Sequence, residues 1–155
     1  MTMKKTLLLI MTCLMALTIN AQDFVDLGLP SGTKWKAQNE SDLYNFDAAR
    51  AEFGDNLPIY AQCEELKALC KWEWTGNGYK VTGLNGNSIF FPAASISDCN
   101  GDFMDNLGGN DTGGFWTSSS EGPKEAWFLV FTMRGVDMAE SEKCFWRSVR
   151  LVQNP

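Results

Sequence analysis

The stretch Gly78–Pro92, GYKVTGLNGNSIFFP, constrains the fold more than any other. Asn and Gly tolerate the positive φ that tight hairpin turns require, so Asn85-Gly86 is read as a turn between two short strands. Val81, Ile89, Phe90 and Phe91 supply strand-forming apolar side chains. Pro92 cannot donate a ladder hydrogen bond, so the second strand should end near it.

Lys4 and Lys5 precede a mostly apolar run, Leu7–Leu17, and Thr18–Gln22 follows it. This is the pattern of a secretory leader cleaved after Ala21. The run is shorter than the roughly 20 residues of a membrane-spanning helix. Lipidation at Cys13 is not expected, because Thr12 stands where a small residue is usual and Cys13 lies inside the apolar run. Residues 22–155 are then one exported domain, periplasmic, secreted or at the cell surface, with enough chain for a real core. The formal net charge of the whole chain is −6, and two of its 13 basic residues lie in the leader. An acidic domain without a basic run fits neither nucleic acid nor an anionic membrane surface.

Phe24–Leu27 and Thr33–Ala37 read as strands around the Leu29-Pro30-Ser31-Gly32 turn. Within the polar segment Gln38–Asn56, Leu43, Phe46, Ala49 and Phe53 recur at helical spacing, and Gly54 is placed to end a short helix. A second helix is expected over Ile59–Lys71, burying Cys63, Leu66, Leu69 and Cys70. Trp72-Glu73-Trp74 alternates as a half-buried strand does. Ala93–Gly114 reads as a long loop rich in Asp, Asn and Gly. Phe115–Ser118 and the apolar Ala126–Met133 read as strands, the latter central, with a turn at Glu121–Lys124 between them. Arg134–Glu142 reads as a second polar connection, and Phe145–Val152 as the last strand.

Four cysteines follow the leader. Cys63 and Cys70 on one helix would lie about 10.5 Å apart along its axis, beyond the roughly 7 Å a disulfide spans between Cα atoms. Two arrangements remain: one Cys99–Cys144 bridge with two buried thiols, or two bridges from the helix to the later cysteines. The single bridge is preferred, because both of its cysteines sit in loops beside strands.

Several blocks then coincide. Val25–Trp35 (VDLGLPSGTKW), Leu57–Leu66 (LPIYAQCEEL), the hairpin Asn77–Ala94, Trp116–Ser120 and Ser148–Val152 resemble, in order, the motifs of the Fibrobacter succinogenes major paralogous domain family. That family is common in exported proteins of Bacteroidetes-type bacteria. The resemblance covers nearly all of residues 22–155. It implies an α+β, C-type-lectin-like fold: a small, twisted, mostly antiparallel sheet with two flanking helices and long loops. Ile59 replaces the family's capping Thr, leaving only the Gln62 half of a capping box. Cys63 replaces its helix Trp. The connection Gln38–Asn56 is shorter than the family's, which implies a reduced ligand surface there.

The chain has no histidine, which removes Ser-His and Cys-His catalysis and any His-ligated metal. A paired-carboxylate hydrolase is the enzymatic alternative, although no pair stands out. Alternate oxygen side chains at Asp98, Asn100 and Asp102 make this loop the candidate calcium site. Phe103 occupies the expected glycine position, however, and Gly109 the closing glutamate position, so a solvated Asx-rich loop is preferred. Trp116 and Trp146, beside polar loops, are candidates to stack on a sugar ring, with Asp102 and Asp105 as polar neighbours. The expected function is that of a non-catalytic binding or adhesion module. It would present Ala93–Gly114 and Arg134–Glu142 to a glycan or surface protein. A structural role at the cell surface is a third reading.

Overall fold

The computed structural model describes residues 23–104 and 111–155. The leader, Cys13 and the candidate Asp105 lie outside the described residues. Among the described residues no helix is long and apolar enough to cross a membrane.

Among the described residues, nine strands form three antiparallel three-stranded sheets. The first joins β1 (Phe24–Asp26), β2 (Lys34–Lys36) and β9 (Val152–Gln153), bringing the two ends of the domain together. The second is β3 (Lys71–Trp74), β4 (Gly78–Thr82) and β5 (Ser88–Pro92). The third is β6 (Thr112–Glu121), β7 (Glu125–Thr132) and β8 (Gly135–Glu142). Helices α1 (Phe46–Phe53) and α2 (Tyr60–Leu69) flank the third sheet, giving a small α+β domain.

Strand alternation explains the two cores. On β7, Leu129 and Phe131 join Cys63 and Leu66 of α2, together with Trp35, Tyr79, Phe91 and Phe115. Ala126 and Phe128, on the opposite face, join Phe46 and Ala49 of α1 with Trp116. Burial on both faces is why this strand is apolar nearly throughout. Adjacent residues Phe115 and Trp116 of β6 divide the same way.

Asn45 caps α1, accepting a 2.9 Å bond from Ala48 N–H, and Gly54 ends it at φ 51°. Leu43 lies before this helix, not on it. At α2, Gln62 Oε1 accepts from Ile59 N–H at 2.9 Å. Ile59 has no side-chain oxygen, and the first helical donor is met from a distance: Ser119 Oγ accepts from Tyr60 N–H at 3.0 Å. Ser119 lies within the register irregularity of β6 between Trp116 and Ser120. Thr117 Oγ1 meanwhile donates to Trp127 O at 2.8 Å. The hydroxyl run is thus a cap and a ladder repair.

The β4–β5 hairpin differs from a two-residue Asn-Gly turn. Thr82 pairs with Ser88, and Gly86 N–H donates back to Gly83 O. Between the two strands Gly86 alone takes positive φ, 88°, and no non-glycine residue among those described does so. Asn85 instead acts through its side chain, donating to Asp26 O at 2.8 Å and accepting from Asn87 N–H. The turn is thereby docked on β1.

Two other expectations are corrected. Arg134–Glu142 is not a loop, because Gly135–Glu142 pairs residue by residue with β7 as an edge strand. Phe145–Leu151 is not a strand: Trp146, Arg147 and Ser148 join their neighbours through isolated bridges, and only Val152–Gln153 forms a ladder. Of the two cysteine arrangements, the single Cys99–Cys144 bridge is present, with Cα atoms 4.8 Å apart, and Cys63 and Cys70 are buried thiols.

Candidate functional site

The segment 144–151 lacks a ladder because it serves two neighbours. Toward one side, Ser97 and Trp146 exchange backbone bonds of 3.0 and 2.9 Å. Toward the other, Tyr44 and Arg147 exchange bonds of 2.9 Å, and Glu40 N–H donates to Val149 O at 2.8 Å. The segment therefore forms a floor with a wall on each side: residues 39–44 and residues 92–103. Between them lies a groove of about 1060 Å³. Asn39, Asp42, Tyr44, Ser97, Phe103 and Trp146 are among its lining residues.

The second wall is a tight hairpin. Asp98 N–H donates to Asp102 O at 2.9 Å, and Gly101 N–H to Asp98 O at 3.0 Å. Asp98 Oδ1 accepts from the backbone N–H of Asn100 and of Asp102, at 2.9 and 3.0 Å. The alternating oxygen residues thus make an Asx turn, with the Asp98 carboxylate committed to its own backbone. The turn sends Phe103 back beside Ser97, where it is 69% exposed on the groove. The Cys99–Cys144 disulfide staples this hairpin to the floor.

Trp146 is half-buried and lines the groove, so one candidate residue is in position. Trp116 is not. It is fully buried between Phe46 and Phe128, and its Nε1–H donates to Tyr44 O at 2.9 Å. Trp116 supports the Tyr44 wall from beneath and offers no face to a ligand. Asp102 is exposed at the hairpin turn, outside the groove lining. Asn39, Asp42, Tyr44 and Phe103 are lining residues that the sequence did not single out.

Two buried arginines stand behind the floor. Arg147 lies over the Phe128 ring at 3.7 Å and donates to Ser141 Oγ at 2.9 Å. Arg150 is fully buried 4.3 Å from the Phe91 centroid. It donates to Lys36 O and Ala37 O at 3.0 Å, and to Phe90 O and Asn39 Oδ1 at 2.6 Å. Burial lowers Arg147 to about 10 and Arg150 to about 9, so both remain charged at neutral pH. Of the two lining carboxylates, Glu40 pairs with Lys36 at 2.6 Å, while Asp42 is exposed and makes no ion pair among the described residues. Desolvation, then the Asp42, Glu52 and Glu40 carboxylates, raise the Tyr44 hydroxyl above its ordinary value.

No family model, curated protein or solved structure matches this chain.

Proposed function

We propose that this chain is an exported, non-catalytic binding module of C-type-lectin-like fold, belonging to the Fibrobacter succinogenes major paralogous domain family, and that it holds a glycan in the groove between residues 39–44 and 92–103. The order of strands and helices, the two flanking helices and the docked central hairpin support the fold reading. The disulfide fits an oxidising compartment.

The groove itself carries the functional reading. It sets an exposed phenyl ring and a half-buried indole beside an amide, a free carboxylate and several serine hydroxyls. Apolar sugar faces stack on aromatic rings, while sugar hydroxyls need both donors and acceptors. Binding is favoured over hydrolysis because Glu40 is engaged by Lys36, leaving Asp42 as the one uncommitted carboxylate among the described lining residues. A glycosidase of the usual kind needs two.

A glycan array probed with the domain, and repeated with Trp146→Ala, tests this. Glycan signals that Trp146→Ala abolishes are the expected result. A blank array with a protein captured from surface extracts would transfer the groove to a protein partner. Blank results in both would remove the binding reading.

A further inference from the structure

Arg150 reaches the groove through one lining residue. Its Nε–H lies 2.6 Å from the Asn39 side chain. A guanidinium has donors only, so the atom facing it must be the amide oxygen. The Asn39 amide therefore cannot be flipped. Its Nδ2 has no hydrogen-bond partner among the described residues, and it is not one of the buried unpartnered atoms. The oxygen is held by a fully buried arginine, so the accessible, unpartnered atom on this groove-lining residue is Nδ2. The guanidinium cannot swing away, because its other nitrogens are committed to three backbone carbonyls.

Resting on the glycan reading of this groove, we propose that Arg150 is a positioning residue that locks Asn39 with its amide N–H donors facing the ligand, and that Asn39 binds a sugar hydroxyl or acetamido oxygen. The arrangement supplies the donor half of hydroxyl recognition, and the free Asp42 carboxylate supplies an acceptor in the same lining. Arg150 never touches the ligand. Its role is to remove the alternative amide orientation, in which a carbonyl oxygen would face a ligand oxygen and repel it.

Asn39→Asp separates this role from a structural one. Aspartate keeps an oxygen for Arg150 and adds a charge partner, so the fold is retained or strengthened. The other oxygen then faces the groove as an acceptor, and the donor is gone. Urea unfolding is measured without ligand, and binding is measured by titrating the domain with cellohexaose, chitohexaose and mannohexaose. The expected result is an unfolding midpoint at or above that of the wild type, with affinity reduced at least about tenfold. A lower midpoint would show that Asn39 does not present oxygen to Arg150. Unchanged affinity would show that Nδ2 does not contact the sugar; either outcome overturns the proposal while leaving the groove reading standing. Failure of the wild type to bind any of the three would overturn the glycan reading and this proposal with it.

Discussion

Replacing Arg150 by methionine keeps a long side chain in the core and removes every hydrogen bond the guanidinium makes. Four bonds join it to Asn39, Lys36, Ala37 and Phe90. At about 2 kcal/mol for each bond from a charged donor, they contribute about 8 kcal/mol. Against this stands the desolvation of a fully buried guanidinium, which lowers it to about 9 and offsets several kcal/mol of that gain. The difference predicts that Arg150→Met destabilises the domain by about 3 kcal/mol. In urea this is a midpoint shift of about 1.5 M; in a thermal scan it is about 10 °C. Arg150→Lys should fall between the two proteins, because an ammonium keeps the charge but cannot present the guanidinium's fork. A loss below about 1 kcal/mol in Arg150→Met would refute the reasoning. It would mean that the four acceptors are satisfied without the arginine, or that its desolvation cancels them.

The Cys99–Cys144 bridge spans 45 residues, and loop-closure entropy gives it about 4 kcal/mol. Cys99→Ser should cost stability of that order in urea and speed amide exchange at Ser97 and Trp146. Burial raises Cys63 far above its ordinary value and takes Cys70 up to about 11. An aromatic disulfide reagent at pH 8 should therefore find no thiol in the native domain and two after unfolding. The sign of the pH effect follows. Above about pH 9 the unfolded chain releases thiol protons that the fold retains, so the two thiols' contribution falls as pH rises further, outweighing the opposite effect of the two lowered arginines and read as a lower urea midpoint at pH 10 than at pH 8. A Cβ on Gly83 would collide with Leu27 O, so Gly83→Ala should lower the melting temperature, whereas Gly76→Ala, with open space around it, should cost only its positive-φ strain.

Much of the fold was legible wherever local pattern and tertiary need coincide. On α2, Cys63 and Leu66 face the core as their spacing implies, but Leu69, expected on the same face, is 41% exposed at the helix's last residue. The continuous apolar run of β7 is buried on both faces. Legibility failed where distant partners overrode local preference. Gly135–Glu142 holds Asp, Glu, Ala and Ser, which are poor strand formers, yet full pairing with β7 and the half-buried Val136 and Met138 make it a strand. The position of the turn at Asn85 is legible in the sequence, but its chemistry lies in contacts with Asp26, which no local rule reveals.

The site was less legible than the fold, for the same reason. The groove forms where residues 39–44, 92–103 and 146–148 meet, and those segments meet only through backbone bonds between distant parts of the chain. Trp146 and the Asp-rich hairpin are legible from composition. Trp116 is equally so, but its indole N–H found a partner in Tyr44 O and the ring became core. Asn39 carried no local signal, since its significance depends on an arginine 111 positions away. The polar segment that begins at Gln38 is short, yet it supplies one whole wall of the groove.

The central claim is that ligand binds between these two walls. Chemical-shift mapping of the isotopically labelled domain with an oligosaccharide retained on the array tests it most directly. The account predicts perturbations concentrated at Asn39, Asp42, Tyr44, Phe103 and the Trp146 indole. Saturable shifts confined to the β8 edge or the β4–β5 turn, with these groups unmoved, would contradict it.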